Sequence, residues 1–501
     1  MDQLIINTGF PILSWLIFLP LAAALLLTAV KSDTAAKWIS LGATSIVALM
    51  ALKLVFSFDK TTTKYQFVEL HAWIENPTIQ YVIGVDGISV LLLLMTALIM
   101  PFCVLASWAY IKKRIRTYMI CLLAMETAMI GVFVALDFVL FYILWEAMLI
   151  PMYLLIGIWG GPRKIYASIK FFLYTLAGSL LLLVAIIWLY VANGYSFFIP
   201  EMAWKDYSMT AQTLLFVAFF LAFAIKVPMF PFHTWLPAAH VEAPAAGSVI
   251  LASILLKMGT YGFLRFALPI TPDATLLYLP YLLWLSIAGI IYGGFTALAQ
   301  QDMKKLVAYS SVSHMGFVTL GIFALNTEGI EGAILQMINH GVTTGALFLC
   351  IGMIYERTHS RELSMATGIG KAMPIFVTFL TFFGLSSFAF PGTNSFVGEF
   401  MILAGAFKYD ITLALAAIPG AVLAAAYILR MLQKVIWGGT NNPDQSYLKD
   451  LNFREIVILA PFLIFVFWIG LGPGVFLDFI HVSVNHLLEQ MQAYQTAIAM
   501  N

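Results

Sequence analysis

Charged residues are scarce in this sequence. Only 10% of its 501 residues are Asp, Glu, Lys or Arg, whereas 62% are hydrophobic, and the mean hydropathy is +0.94. Soluble domains carry about 25% charged residues, so this deficit excludes an ordinary soluble enzyme. The net charge of +1 provides no basic surface for nucleic acid, and we expect no nucleic-acid partner.

Cysteines and cofactor motifs are equally rare. Cys103, Cys121 and Cys350 lie in apolar runs without a CxxC pair, which argues against disulfides and an iron–sulfur cluster. The segment GIGKAMP at 368–374 lacks the spacing of a phosphate-binding loop. The histidines do not combine with a third ligand at metal-binding spacing. The sequence therefore predicts no cofactor site and no metal site in this chain.

Apolar runs of about 20 residues recur along almost the whole chain, and each is long enough to cross a bilayer. Backbone in lipid must satisfy its own hydrogen bonds, so the sequence predicts an all-α polytopic membrane protein. The region 58–86 and the tail after Pro473 are expected to hold short surface elements, the tail as an amphipathic helix. Fourteen spans are predicted, near 11–30, 36–57, 87–110, 116–135, 138–158, 166–192, 212–239, 247–268, 276–299, 304–325, 330–356, 373–406, 411–437 and 454–472.

The basic residues are distributed unevenly between the loops. Most of them, including Lys304, are counted with the loops after odd-numbered spans, and those that follow even-numbered spans are only Lys53, Lys60, Lys64, Lys205 and Lys408. The positive-inside rule then places the loops after odd spans in the cytoplasm and both termini on the opposite side of the cell inner (plasma) membrane. The N-terminus has no basic region before its first apolar run, which predicts an uncleaved first span.

Two spans are over-long and interrupted by proline. Span seven is broken at Pro228 and Pro231, and span twelve is broken at Pro391. The offset of five spans means that the two run in opposite directions. Interrupted helices at matching places of inverted halves indicate an ion path, although simple proline kinks are the alternative. The predicted regions are spans 1–3 (1–115), a first five-helix repeat (116–270), a second inverted repeat (271–440), and span 14 with the tail (441–501).

Four ionisable residues lie deep in separate spans, at a cost of roughly 2.5–3.5 kcal/mol each. They are Glu146 in span five, Lys226 before the break of span seven, Lys257 in span eight and Glu399 after the break of span twelve. A buried lysine beside a carboxylate switches its proton affinity when that carboxylate moves or becomes neutral, so this row is a candidate proton relay. Permanent salt bridges, above all between Glu146 and Lys226, are the structural alternative.

Histidines supply further relay candidates because they titrate near neutral pH. His314 and His340 lie on adjacent spans, and His233 follows the break of span seven. A hydrogen-bonded role in the core is the alternative for each of them. Several other ionisable residues have simpler interpretations: helix caps for Asp86 and Asp137, tethers for Arg265 and Arg430, a snorkelling position for Lys170, and a contact with a neighbouring helix or subunit for Glu126.

Several segments resemble the antiporter-like subunits of respiratory complex I, and in particular their M type. These are LWEAMLIPMYLLIGIWGG, FAIKVPMFPFHTWLPAAH, LVAYSSVSHMGFV and FPGTNSFVGEFMIL, within a similarity that covers about residues 85–440. The resemblance implies fourteen helices with two inverted five-helix repeats. It also implies that Glu146 and Lys226 form the coupling pair and that Lys257 is the central relay. Glu399 matches the ion-exit residue, which is a glutamate in M-type chains. Ala238 departs from relatives that carry an acidic residue there.

The resemblance implies a function for the whole chain. It would be a proton-translocating subunit of an NADH–quinone oxidoreductase, beside L-type and N-type subunits and lipid. It would hold no redox site itself, with NADH, FMN, Fe–S clusters and quinone bound by partner subunits. The alternatives are a subunit of an Mrp-type cation/proton antiporter and a membrane-arm subunit of a related hydrogenase.

Overall fold

The computed structural model describes residues 4–7, 9–364, 367–438 and 448–500. The chain ends and the predicted region boundary at 440–441 lie outside these ranges. In chain order the helices are α1 (Ile12–Ala29), α2 (Asp33–Phe56), α3 (Val90–Tyr110), α4 (Ile115–Val134), α5 (Phe138–Trp159), α6 (Lys164–Ala192), α7a (Met209–Lys226), α7b (Trp235–Glu242), α8 (Ala245–Ile270), α9 (Pro272–Ala299), α10 (Met303–Phe323), α11 (Thr327–Thr358), α12a (Pro374–Ser387), α12b (Asn394–Tyr409), α13 (Ile411–Trp437), α14 (Phe453–Leu471) and α15 (Gly474–Met500).

The predicted membrane architecture is confirmed. Within the described ranges, 13 helices are long and apolar enough to cross a membrane, and the pair α12a and α12b accounts for the remaining span. Each predicted span corresponds to one helix or to one interrupted helix. Helices α8, α10 and α11 are almost completely enclosed by the others, so they form the centre of the bundle and carry its most deeply buried side chains.

Both predicted interruptions are present. Helix α7a ends at Lys226 because Pro228 and Pro231 lack backbone N–H groups and disfavour helical geometry in the preceding residues. Helix α12a ends at Ser387, and the turn to α12b passes through Gly392 with φ +91. That left-handed conformation is accessible to glycine at little cost, so glycine suits this position in the turn before α12b.

The loops on one face of the bundle contain β-strands, which the all-α prediction did not include. Strands β1 (Leu4–Ile6), β2 (Tyr65–Ile74) and β3 (Ile79–Val85) form a small sheet in the order β1-β2-β3. Strand β1 pairs parallel to β2, and β2 pairs antiparallel to β3. Surface elements were predicted for 58–86, and the β2–β3 hairpin confirms them, whereas a strand at the N-terminus was not foreseen.

The predicted amphipathic tail is also confirmed as α15. Its polar side chains bond to several parts of the same face. The Ser483 hydroxyl accepts the Gly87 N–H at 3.0 Å, His481 Nδ1 lies 2.6 Å from Glu331 Oε1, and Tyr494 donates to Asp273 at 2.8 Å. Helix α15 therefore joins residues before α3 to α9 and α11.

Of the two aspartates predicted as helix caps, Asp137 fills that role and Asp86 does not. Asp137 Oδ1 accepts the N–H groups of Val139 and Leu140 at 2.8 and 3.2 Å, which caps α5. Burial raises the pKa of Asp137 to about 6. The N-cap of α3 is Ser89, and Asp86 instead accepts backbone N–H groups in the turn before that helix and binds Arg265.

Candidate functional site

The break in α7 places Lys226 at the end of a helix inside the protein. Its side chain is 1% exposed. The Trp235 indole N–H donates to the Ile225 carbonyl at 2.8 Å, which satisfies one backbone acceptor that the interruption leaves free. Helix α8 approaches closely at Gly259, where a Cβ would lie 2.8 Å from the Phe223 carbonyl oxygen. Close packing thus holds the lysine between α5, α7a and α8.

Lys226 and Glu146 do not form an ion pair with each other. The Lys226 ammonium lies 3.4 Å from Met148 Sδ and 4.7 Å from the centre of the Trp145 ring. Glu146 directly follows Trp145 in α5 and is half-buried, and its Oε1 has no partner among the described residues. The two charges still interact electrostatically across the gap. A permanent salt bridge, the structural alternative for this pair, is absent here.

Lys257 is fully buried on α8, between two π-helical stretches at Leu251–Leu255 and Phe263–Ala267. Its ammonium donates to the Ala252 carbonyl within the first stretch and lies 2.7 Å from His340 Nδ1. The sequence left Lys257 without an evident partner, and the fold supplies one from α11.

His314 and Glu399 form the second close contact. Nδ1 of His314 lies 2.8 Å from Oε1 of Glu399, and both side chains are 4% exposed. Gln336 donates to the same carboxylate oxygen at 3.1 Å, and the Tyr427 hydroxyl lies 3.3 Å from the other nitrogen of His314. Glu399 is therefore held on α12b by groups from two other helices, α10 and α11, and Tyr427 of α13 in turn positions His314.

The two contacts approach each other through their imidazoles. The ring centres of His314 and His340 are 5.8 Å apart. Together, Lys257, His340, His314 and Glu399 form a row from α8 through α11 and α10 to α12b, which we call the central chain. Its only gap between side chains is the one between the two rings. Neutral imidazole has one donor and one acceptor nitrogen, so this row has the chemistry to pass protons laterally.

An uncharged cluster lies at the break of α12, and the sequence analysis missed it. The Ser386 and Thr343 hydroxyls donate to Asn394 Oδ1 at 2.5 and 3.3 Å, and Asn339 donates to the Asn394 carbonyl at 2.8 Å. Asn339 Oδ1 is buried without a partner among the described residues. Asn339 also contacts Gln336, which binds Glu399. Two asparagines inside apolar spans were the signal that could have located it.

The other predicted histidine is not part of the central chain. His233 is 2% exposed, and its ring lies 4.9 Å from that of Tyr292. His240 is fully buried and stacks on Phe348 at 4.5 Å. Neither ring has a hydrogen-bond partner among the described side chains. Both follow the break of α7, close to the end of the bundle where α7b lies.

Lys304 is buried, although its place in the sequence indicated a loop residue. It is 5% exposed at the start of α10, and its ammonium donates to the Ala243 carbonyl at 2.7 Å. Glu242, Lys304 and Arg361 line a shared polar cavity beside it. Arg430 acts as the predicted tether, since it donates to the Leu298 carbonyl of α9. Lys170 lies beside the rings of Tyr166 and Tyr174.

The donor atoms needed for a metal site do not come together. Among the described residues, no group of three His, Cys, Asp or Glu side chains is placed to hold a metal ion. The three cysteines are buried and unpaired. The ionisable groups instead lie in a row, so proton transfer is the chemistry that this arrangement supports.

Comparison with known families matches nearly the whole chain. Residues 135–424 match the model described as NADH:quinone oxidoreductase/Mrp antiporter, TM, and residues 15–132 match the amino terminus of NADH-ubiquinone oxidoreductase chain 4. NADH-quinone oxidoreductase subunit M of Rhodobacter capsulatus is 46% identical over 96% of this chain and 97% of the relative. Chain 4 of Marchantia polymorpha is 44% identical over 95% and 97%.

Solved structures agree with these relatives. One chain of respiratory complex I from Thermus thermophilus with bound NADH matches with a TM-score of 0.88 and 30% identity, covering 96% of this chain and 100% of that chain. A chain of the Mrp complex from Dietzia matches with a TM-score of 0.85 at 19% identity over 97% and 98%, a likeness that shows the fold alone. The sequence, the broken helices and these matches together show that the chain belongs to the M-subunit (chain 4) family of NADH-quinone oxidoreductase.

Proposed function

We propose that this chain moves protons across the membrane through the central chain, as an M-type membrane-arm subunit of NADH-quinone oxidoreductase. The observation that supports this most strongly is the pair of short contacts, Lys257 to His340 and His314 to Glu399. Four titratable groups from four helices lie in one buried row, where unpaired charges are expensive and persist chiefly for function.

Lys226 and Glu146 are the proposed control point. An electrostatic disturbance that reaches Glu146 changes the proton affinity of Lys226, because the two interact without being locked in an ion pair. The proton then passes to Lys257, along the two histidines, and leaves from Glu399. His233 lies beside the α7 break and is a secondary relay group. The broken helices contribute backbone groups that bind water between these side chains.

The chain works, in this proposal, as part of a larger assembly in the cell inner (plasma) membrane. L-type and N-type subunits flank it, lipid surrounds it, and both termini face the non-cytoplasmic side. The electron transfer from NADH through FMN and Fe–S clusters to quinone takes place in partner subunits. This chain supplies no redox site and binds no cofactor. The two inverted repeats, spans four to eight and nine to thirteen, each contribute one broken helix to the path.

The test uses the intact complex in sealed membrane vesicles. Replacing Lys257 with Ala removes the first group of the central chain and should abolish most NADH-driven proton uptake while the complex still assembles. The matched control is Lys170→Ala, which removes a lysine at the edge of the bundle. Full proton uptake with Lys257→Ala in an assembled complex would contradict the proposal.

A further inference from the structure

A second polar row leaves Lys257 along α8 itself. Lys257, Tyr261 and Arg265 follow each other at intervals of four residues, so they lie on one face of the helix. They are 0%, 1% and 9% exposed. Four residues of helix rise about 6 Å, so the row leads from the centre of the bundle toward the face with the β2–β3 hairpin and α15. The central chain does not use it.

The row ends in a tightly held guanidinium. Arg265 donates to Asp86 Oδ1 at 2.6 Å, to the Tyr65 hydroxyl at 2.8 Å and to the Tyr261 hydroxyl at 3.2 Å. The side chains of Arg265 and Asp86 are 9% and 8% exposed. Asp86 is fixed in turn by the N–H groups of residues 88 and 89. The guanidinium therefore has one position, set by groups on three elements.

A polar cavity lies directly beyond this pair. It has a volume of about 210 Å³ and is lined by Tyr65, Asp86 and Arg265, together with Lys64 and His486. Lys64 is exposed, so the cavity reaches the surface, and its volume accommodates several water molecules. The distribution of basic residues assigns this face to the non-cytoplasmic side. Along α8, Tyr261 and the Arg265–Asp86 pair thus lie between Lys257 and water on that side.

We propose that the Arg265–Asp86 pair is an electrostatic seal, which stops protons on Lys257 from escaping along α8 into this cavity. An arginine in a protein does not release its proton, so it breaks any relay that reaches it. Its fixed positive charge also repels a proton carried by water, as arginines in selective pores do. Asp86 holds the guanidinium in place, because a buried charge without its partner is strongly unfavourable.

The other groups around the pair are consistent with a seal. Burial raises the pKa of Tyr65 to about 12, so its phenol keeps its proton at physiological pH. Lys64 and His486 add positive charge to the cavity wall when protonated. With the α8 row closed, the route that remains from Lys257 is His340 and the central chain. This inference rests on the proposed function, since it assigns a direction to protons that Lys257 carries.

The alternative is a purely mechanical role, in which Arg265 only ties the hairpin to α8. The two roles differ in what happens when both charges are removed together. Replacing Arg265 with Gln and Asp86 with Asn leaves amides that hydrogen-bond but carry no charge. A tether would be preserved or would fail by loss of assembly. A seal would fail by leaking protons through an assembled complex.

The experiment uses the whole complex in sealed inverted vesicles. A pH jump imposes the same proton gradient on vesicles of every variant, and its decay is followed without NADH. R265Q/D86N should oxidise NADH but lose its gradient several-fold faster than the unaltered protein. Adding K257M to R265Q/D86N should restore slow decay, because the leak starts at Lys257. Arg430→Gln, which removes the tether arginine of α13, is the matched control and should not leak.

Two results would overturn the seal: slow decay in assembled R265Q/D86N, or a leak that persists with K257M. If R265Q/D86N does not assemble, R265S/D86S carries the same prediction with smaller side chains. Failure of the proposed function has a different signature, since K257M alone would then leave proton uptake unchanged. If K257M stops NADH-driven proton uptake while the proton gradient in R265Q/D86N decays slowly, only the proposed seal is contradicted.

Discussion

Lys257 Nζ and His340 Nδ1 lie 2.7 Å apart between α8 and α11. When Lys257 is protonated, its ammonium donates to Nδ1 and the imidazole carries its own proton on Nε2. That Nε2 has no partner among the described residues, and the ring lies beside that of His314. A proton accepted at one nitrogen of His340 therefore frees the proton on the other, on the side of the ring away from Lys257.

Replacing His340 with Ala should interrupt this transfer. We expect NADH-driven proton uptake to fall by roughly tenfold or more, which corresponds to a barrier increase of about 1.4 kcal/mol or more. The measurement is the initial rate of vesicle acidification with the intact complex. His240→Ala is the control, since that histidine is equally buried but bonds to nothing in the central chain. Equal losses in both variants would show that burial, and not the contact with Lys257, matters.

Replacing Glu399 with Gln should block the far end of the central chain. The amide keeps a similar shape and still accepts the Gln336 hydrogen bond, but it cannot take a proton from His314. We expect assembly to be normal and the ratio of protons moved to NADH oxidised to fall.

The matched control for Glu399 is Glu331→Gln. It removes another buried carboxylate, whose partner is His481 on α15 and which is not part of the central chain. An unchanged proton ratio in Glu399→Gln would place the exit elsewhere.

The Glu146→Gln variant tests whether Glu146 controls the proton affinity of Lys226 or only forms a salt bridge with it. Breaking a buried salt bridge costs about 3–5 kcal/mol, but Lys226 contacts Trp145 and Met148, not the carboxylate. We therefore expect the amount of complex and its thermal stability to change little, while proton pumping falls. The measurements are the melting temperature of the purified complex and the pumping rate. A large loss of stability would show that the two residues do pair in the assembled complex.

The cluster at the break of α12 should act as a unit. Asn394→Ala and Ser386→Ala each remove part of the same hydrogen-bonded group. We expect the double variant to lose little more activity than the stronger single variant, because contacting residues are not additive. The pumping rates of the unaltered protein, the two single variants and the double variant give the coupling energy between Ser386 and Asn394. Additive losses would mean that Ser386 and Asn394 act independently.

Gly392→Ala should strain the turn between α12a and α12b. A left-handed conformation costs a residue with a Cβ about 1–2 kcal/mol, and Gly392 has φ +91. We expect a lower melting temperature of the complex and reduced proton pumping, since the turn orients Glu399. Gly474→Ala is the control because a Cβ there meets nothing within 4 Å. Equal melting temperatures for the two variants would contradict this role of Gly392.

The sequence was sufficient for features that depend on local chemistry. Prolines 228, 231 and 391 predict the two broken helices because the missing N–H group acts within a turn. The apolar runs predict the spans, and Lys257 and Glu399 stand out because charge is rare in them. Each of these signals lies within a few residues of its effect.

The contacts were not predictable in the same way. Lys257 and His340 are 83 residues apart, and His314 and Glu399 are 85 apart, so their pairing depends on how α8, α10, α11 and α12b pack. Lys304 looked like a loop residue because the first turn of a helix and a loop have the same composition. The Asn394 cluster is uncharged, so a search for buried charges did not detect it.

Helix α15 has a mechanical consequence for the whole subunit. Its Gln490 and Tyr494 bond to Trp204 and Gln212 of the first proposed repeat, and other bonds reach α9 and α11 of the second, so it links both proposed repeats on one face. Sliding of one repeat against the other at this face would require several of these bonds to break together. Any rearrangement that preserves them must pivot about α15, with the largest displacements at the opposite face, where Lys304 and the end of α7b lie.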